Sequence, residues 1–194
     1  TSKDFVIEAG VLKEYHGSSA DVVIPNNVVE LAQKCFMHSK IKSVVIPESV
    51  TVIGTEAFED CDNLTSVTIH SGVIKIGDWS FYRCKSLTSV IIPNSVKKIG
   101  YHAFDWCKSL TSITISDSVT SIDDYAFHSC TNLTSITIPD SVTSIGNGVF
   151  GNCSNLTSIT IPDSVTNIGS DVFDGCTNLK DVVVSVDFLL KNSS

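Results

Sequence analysis

A self-similarity of 23 residues decides what this chain can fold into, because repeats of that length stack as coils instead of closing around a globular core. Leu64, Leu87, Leu110, Leu133, Leu156 and Leu179 recur at that interval. So do Phe58, Phe81, Phe104, Phe127, Phe150 and Phe173, and Cys61, Cys84, Cys107, Cys130, Cys153 and Cys176. The unit reads L-T-S-I-T-I-P-D-S-V-T-S-I-G-x-x-A/V-F-x-x-C-x-N, and units 133–155 and 156–178 agree at 17 of 23 positions. An earlier unit starts at Ile41, and a degenerate one before it holds Ile24, Pro25, Val28, Leu31 and Phe36, with Ser39 in the cysteine slot.

Counting each unit from its Leu, the first six positions carry a strand signal. Leu133, Ile136 and Ile138 are apolar, with Thr134, Ser135 and Thr137 between them, and the β-branched alternation suits a half-buried strand. Pro139 has no N–H for a ladder and stops the strand. Asp140 and Ser141 are expected to form a turn by bonding side chain to backbone. Val142 and Ile145 are the next inward anchors, and Val149 and Phe150 are expected on a helical or 3₁₀ turn that returns the chain to the next rung. One unit cannot bury its own apolar stripe. Stacked at roughly 4.8 Å per rung, the units make a parallel sheet and one continuous core on the order of 35 Å long. The expected fold is therefore a repeat solenoid, mainly β, with a parallel sheet on one face and short extended, 3₁₀ or helical turns on the other. Residues 1–18 read as an N-terminal capping hairpin, 19–184 as an array of about seven rungs plus a final strand, and 185–194 as a C-terminal cap or tail built on Phe188, Leu189 and Leu190.

The unit L-T-S-I-T-I-P-D-S-V-T-S-I-G…F…C, held in register six times, resembles the BspA-like class of leucine-rich repeats over about residues 19–184. The segment Phe5–Tyr15 resembles the small hairpin that often opens such arrays. The resemblance implies a surface or secreted protein that adheres to matrix proteins or other cells, and it carries no catalytic residues. The chain departs from the pattern at Ser19, which takes a Leu slot, and after Val184. Thr1 is not an initiation residue, so the expectation is a fragment of a longer chain.

Composition narrows the partners. A formal net charge of −8 argues against a nucleic-acid footprint. Residues 110–178 contain seven Asp and no Lys or Arg, so one end of the array is acidic. No apolar run approaches the roughly 20 residues needed to span a bilayer, and no signal peptide is visible.

The chemistry-bearing residues are weighed by column. Seven cysteines lack the close pairing of a zinc site, and six lie in register, which predicts an inward ladder of reduced thiols. Cys35 is off that register and is the thiol expected to react. The column Asp117, Asp140 and Asp163, continued by Asn94 and Glu48, reads either as calcium ligands or as a solvated Asp–Ser turn cap that also accounts for the Ser that follows. Histidines 16, 38, 70, 102 and 128 share no column, and no H-E-x-x-H, G-x-S-x-G or phosphate-binding glycine motif is present. Ser and Thr repeat in every rung, whereas a catalytic site is singular. Neither a cofactor nor a metal is expected. Asn-Leu-Thr at 63, 132 and 155 matches a glycosylation sequon but belongs to the repeat.

What differs between rungs carries the functional signal. Positions 3 and 5 of each strand, such as Ser112 and Thr114, face the open side and are small and uncharged. Position 16 holds Trp79, His102 and Tyr125 in three consecutive units, which should stack in one column. Tyr82, Tyr101 and Trp106 lie close by, with Arg83, Lys85, Lys97, Lys98 and Lys108. Exposed aromatics beside cations build hot spots and carbohydrate platforms. The same rings could instead cover the edge of the core with their polar tips wet. The candidate contact residues are Trp79, Tyr82, Arg83, Lys98, Tyr101, His102, Trp106 and Tyr125, for a protein or glycan partner. The leading reading is a non-enzymatic binding scaffold; the alternative is a structural spacer or the substrate-binding module of a larger secreted protein.

Overall fold

The computed structural model describes residues 3–184; the expected C-terminal cap lies outside them. The chain opens with an antiparallel hairpin, β1 (Phe5–Glu8) and β2 (Val11–Tyr15). Seven coils follow, each with a strand on either side. They are β3 (Asp21–Val23) and β4 (Glu30–Leu31), β5 (Ser43–Ile46) and β6 (Val52–Ile53), β7 (Ser66–Ile69) and β8 (Lys75–Ile76), and β9 (Ser89–Ile91) and β10 (Lys98–Ile99). The last three are β11 (Ser112–Thr114) and β12 (Ser121–Ile122), β13 (Ser135–Thr137) and β14 (Ser144–Ile145), and β15 (Ser158–Ile161) and β16 (Asn167–Ile168), after which β17 (Asp181–Val184) adds an eighth strand on the first side. Odd-numbered strands from β3 to β11 make a five-stranded sheet and β13, β15 and β17 a three-stranded one, with the ladder interrupted between β11 and β13. The short strands form a nine-stranded sheet with the hairpin at its edge, where β2 pairs in parallel with β4. Register follows the repeat: Ser112 faces Ser89, and Ile122 faces Ile145.

The parallel solenoid read from the sequence is what the chain forms, and its core is the set of inward columns. Leu64, Leu87, Leu110, Leu133 and Leu156 are fully buried, as are Phe58, Phe81, Phe104, Phe127 and Phe150. The phenylalanine rings stack in one column from Phe36 to Phe173, with centroids 4.9 Å apart at the start and 6.0 Å at the end. Tyr15 of the hairpin packs at a tilt against Phe36, 4.9 Å between centroids, and Phe5 against Tyr15 at 5.2 Å, so the hairpin meets the end of the ring column with aromatic surface of its own. Offset ring contacts of this kind add about 0.5–1.5 kcal/mol each beyond the area they bury.

The return arm departs from the sequence expectation. Its extended part exists as the short strands, but no helical or 3₁₀ turn occurs among the described residues. The arm is a run of turns in which alternate amides serve different partners. Trp79, Phe81 and Arg83 donate their N–H groups to Tyr101, Ala103 and Asp105 of the next coil at 2.8, 2.8 and 2.9 Å. Ser80, Tyr82 and Cys84 donate to carbonyls three residues back. Left-handed residues at positions 16 and 20, such as Trp79 at φ 51° and Arg83 at φ 58°, break any helical run.

The polar repeat residues are also structural, by a route that differs from local capping. Ser141 Oγ donates to the carbonyl of Val119 in the preceding coil at 2.7 Å, while the Pro-Asp-Ser turn is closed by the Val142 N–H on the Pro139 carbonyl. Thr65, Thr88, Thr111, Thr143 and Thr157 likewise donate their hydroxyls to carbonyls one coil back.

Candidate functional site

The thiols lie inside the core. Cys61, Cys84, Cys107, Cys130 and Cys153 are fully buried and unbridged, and each Sγ donates to the carbonyl of a phenylalanine in the preceding coil at 3.1–3.3 Å. Burial pushes Cys61 up to about 12. Cys35, expected to react because it lies off the register, is buried as well and is pushed to about 12, again chiefly by burial. The more accessible thiol is Cys176, half-buried in the last full coil. Asp117, Asp140 and Asp163 are exposed, and among the described residues no group of three His, Cys, Asp or Glu is arranged to hold a metal.

The rings that break the repeat do assemble. Trp79, His102 and Tyr125 stack as a column on the return arm, 5.6 Å and 4.8 Å between centroids and 5° and 16° from parallel. Tyr101 meets this column edge-on, 4.7 Å from Trp79 and 4.1 Å from His102, and Tyr82 is edge-on to His102 at 6.3 Å. Each of these five side chains is half-buried, and His102 is held between the Trp79 and Tyr125 rings. The column ends where the repeat resumes, because Gly148 occupies position 16 of the next coil and a Cβ there would collide with the Tyr125 ring.

A second group lies beside the first. The Arg83 guanidinium sits 5.1 Å from the Tyr82 ring centre and 6.0 Å from that of Trp106, and Lys108 Nζ sits 4.6 Å over Trp106 on the return arm. Cations at that range are attracted by the ring quadrupole. Lys98 does not join either group. Its Nζ pairs with Asp123 at 2.7 Å, and that hydrogen bond is the first cause of its raised pKa.

Beneath the ring column lies a network that the sequence reading did not contain. Asp105 is 3% exposed and accepts hydrogen bonds from His102 Nδ1 at 2.6 Å and His128 Nδ1 at 3.0 Å. Asn152 Nδ2 lies 3.2 Å from His128 Nε2 and can donate to it, which suits a neutral imidazole with its proton on Nδ1. His102 and His128 share no column, but they occupy positions 16 and 19, which face the same way. The recurring polar residues at position 19 (Glu59, Tyr82, Asp105 and His128) were the available signal.

The N-terminal edge of the site is a hollow of about 300 Å³ walled by Lys34, Met37, Glu56, Glu59, Trp79 and Tyr82. Lys34 Nζ pairs with Glu56 at 3.0 Å. Partial burial, followed by the facing Glu56 carboxylate and the hydrogen bond the two acids share, raises the Glu59 carboxyl. Among the described residues, no helix is long and apolar enough to cross a membrane.

Comparison with known proteins agrees with this geometry. The family model for the BspA type leucine rich repeat region matches in six copies over residues 14–110 and 97–189. A leucine rich repeat protein of T. pallidum superposes with a TM-score of 0.88 at 31% identity, covering 93% of this chain and 90% of that one. A leucine rich cell surface protein of Faecalibacterium prausnitzii matches at 26% identity and a TM-score of 0.58, over 92% of this chain and 74% of its own. A leucine-rich repeat protein of Bacteroides ovatus matches at 29% identity and a TM-score of 0.57, over 86% of this chain and 55% of its own. A search of curated protein sequences finds no match.

Proposed function

The chain belongs to the BspA-type leucine-rich repeat family, and from that premise we propose that it is a non-enzymatic recognition scaffold, displayed outside the cell, whose contact patch is the return arm between Trp79 and Lys108. One observation carries the reading. The residues that break the repeat are gathered by the coiling into a single half-open aromatic and cationic surface, while the positions that obey it are used up in the core and between coils. A spacer has no need to concentrate aromatics in consecutive coils. The extracellular setting is supported by the F. prausnitzii neighbour, which is described as a cell surface protein.

The test is a binding screen against matrix proteins and glycans with the wild type beside a Trp79→Ala/Trp106→Ala double variant. Aromatic hot spots are worth about 2 kcal/mol or more each, so the double variant should bind at least tens of times more weakly with an unchanged circular dichroism spectrum. Undiminished binding by a folded double variant would count against the patch. A wild type that binds nothing in the screen would favour the spacer.

A further inference from the structure

We propose that the hollow beside Trp79 is a sugar-binding subsite that takes one pyranose ring of a neutral oligosaccharide. This rests on the recognition-scaffold reading and names a ligand for one edge of its patch.

The argument begins with the two faces of the indole. One face of Trp79 lies flat on His102. The hollow it walls is completed by Lys34 and Met37 of the first coil and Glu56 and Glu59 of the second, all on the side away from His102. The indole and the Tyr82 ring line the hollow together, on the side of the column away from His102. A flat, rigid apolar surface held from behind is what the C–H face of a pyranose packs against. Its position is fixed before any ligand arrives, so little ordering cost falls on binding.

The polar groups select the rest. Lys34 already pairs with Glu56, and Glu59 stands beside that pair, its carboxyl raised by partial burial and by the facing Glu56 carboxylate. A guanidinium or ammonium from a basic peptide would meet Lys34 in the same hollow, and a sialic acid or sulfated sugar would meet two carboxyl groups. A neutral sugar meets neither objection. Its hydroxyls both donate and accept, which matches carboxylate acceptors and an ammonium donor set around one ring face. The volume is at the lower end of the roughly 300–1,000 Å³ of small-molecule sites, enough for one ring of a chain whose remainder runs over the open surface.

The test uses the protein with a panel of neutral oligosaccharides of glucose, galactose and their N-acetylamino forms, a sialylated set and an arginine-rich peptide, read by calorimetry and tryptophan fluorescence. At least one neutral oligosaccharide should bind and shift the indole emission. Trp79→Gly, which installs the residue that the repeat itself uses at Gly148, should weaken that binding at least tenfold, and Glu59→Ala should weaken it several-fold without touching the indole. Asp117→Ala, exposed on a turn outside the patch, should leave it unchanged. The proposal is overturned if no neutral oligosaccharide binds, if the arginine-rich peptide or sialylated set binds at this hollow in its place, or if a folded Trp79→Gly binds as well as wild type. Loss of partner binding in Trp106→Ala with no neutral sugar bound would overturn the subsite and leave the wider patch standing.

Discussion

Moving the protein from pH 7 to pH 10 should remove most of its stability, and the cysteine column is the reason. Six of the seven thiols are buried. Unfolded, a thiol ionises near 9. Folded, burial pushes Cys35 and Cys61 to about 12 and holds Cys84, Cys107, Cys130 and Cys153 well above their ordinary value. A group whose folded pKa is raised contributes its stability in full below the unfolded pKa and loses it as pH climbs toward the folded one. The window therefore opens near pH 9 and runs to about pH 12 for Cys35 and Cys61. One unit into it, at pH 10, each buried thiol lowers the folding constant about tenfold. Acting independently, the six lower it about a million-fold, or about 8 kcal/mol. That is comparable to the whole stability of an ordinary domain, about 5–15 kcal/mol. The assay is urea unfolding by circular dichroism at pH 7, 9 and 10, for the wild type and for a Cys84→Ala/Cys107→Ala/Cys130→Ala variant. Lysine and tyrosine titration is common to both proteins, so the difference isolates the thiols. The wild-type midpoint should collapse between pH 9 and 10, and the triple variant should lose about half as much free energy over the same interval. Equal losses in the two proteins would refute the reasoning.

Two further outcomes test the core and the network. Phe104→Ala removes a fully buried ring between Phe81 and Phe127 and should cost about 3–5 kcal/mol, whereas Phe173→Ala, at the partly buried end of the column, should cost less than half of that in the same urea titration. Asp105→Asn leaves one of two imidazole N–H groups facing an amide donor in a buried site, which should cost about 2–3 kcal/mol and shift the Trp79 emission through its His102 neighbour; a loss below about 0.5 kcal/mol would show that the bridge is not what holds the two histidines.

The fold was legible because a solenoid turns sequence position into spatial position with almost no freedom: once Leu64, Phe81 and Cys84 are seen to recur, their columns follow. The stacking of Trp79, His102 and Tyr125 was legible for the same reason. The backbone of the return arm was not. Its left-handed positions hold Trp79, Arg83 and Trp106, types with no preference for positive φ, and the clearest marks of the same columns are Gly148, Asn152 and Gly175 of the later coils. The Asp105 bridge was missed because it joins positions 16 and 19 in neighbouring coils, and columns read singly do not show contacts between columns. Lys98 was placed with the aromatics by its nearness in sequence, but position 12 lies on a strand, where Asp123 of the next coil reaches it first.

Position 16 shows how far the fold itself explains the aromatic patch. It is left-handed in all seven coils, as Lys34, Glu56, Trp79, His102, Tyr125, Gly148 and Asp171, with φ between 51° and 63°. Glycine adopts that conformation without penalty, and another residue costs about 1–2 kcal/mol. Only Gly148 takes the cheaper course. Against that cost, the two stacked pairs of the Trp79, His102 and Tyr125 column contribute about 0.5–1.5 kcal/mol each, and half-burial of the rings adds an amount of similar size. The terms roughly cancel, so the solenoid gains little by holding three rings where a glycine would serve. The left-handed backbone is common to every coil, so what sets Trp79, His102 and Tyr125 apart is the choice of rings at that position and not the strain itself. Trp79→Gly measures both sides of that balance at once: stability within about 1 kcal/mol of wild type together with lost binding assigns the ring to the ligand, while a larger loss of stability with binding retained assigns it to packing.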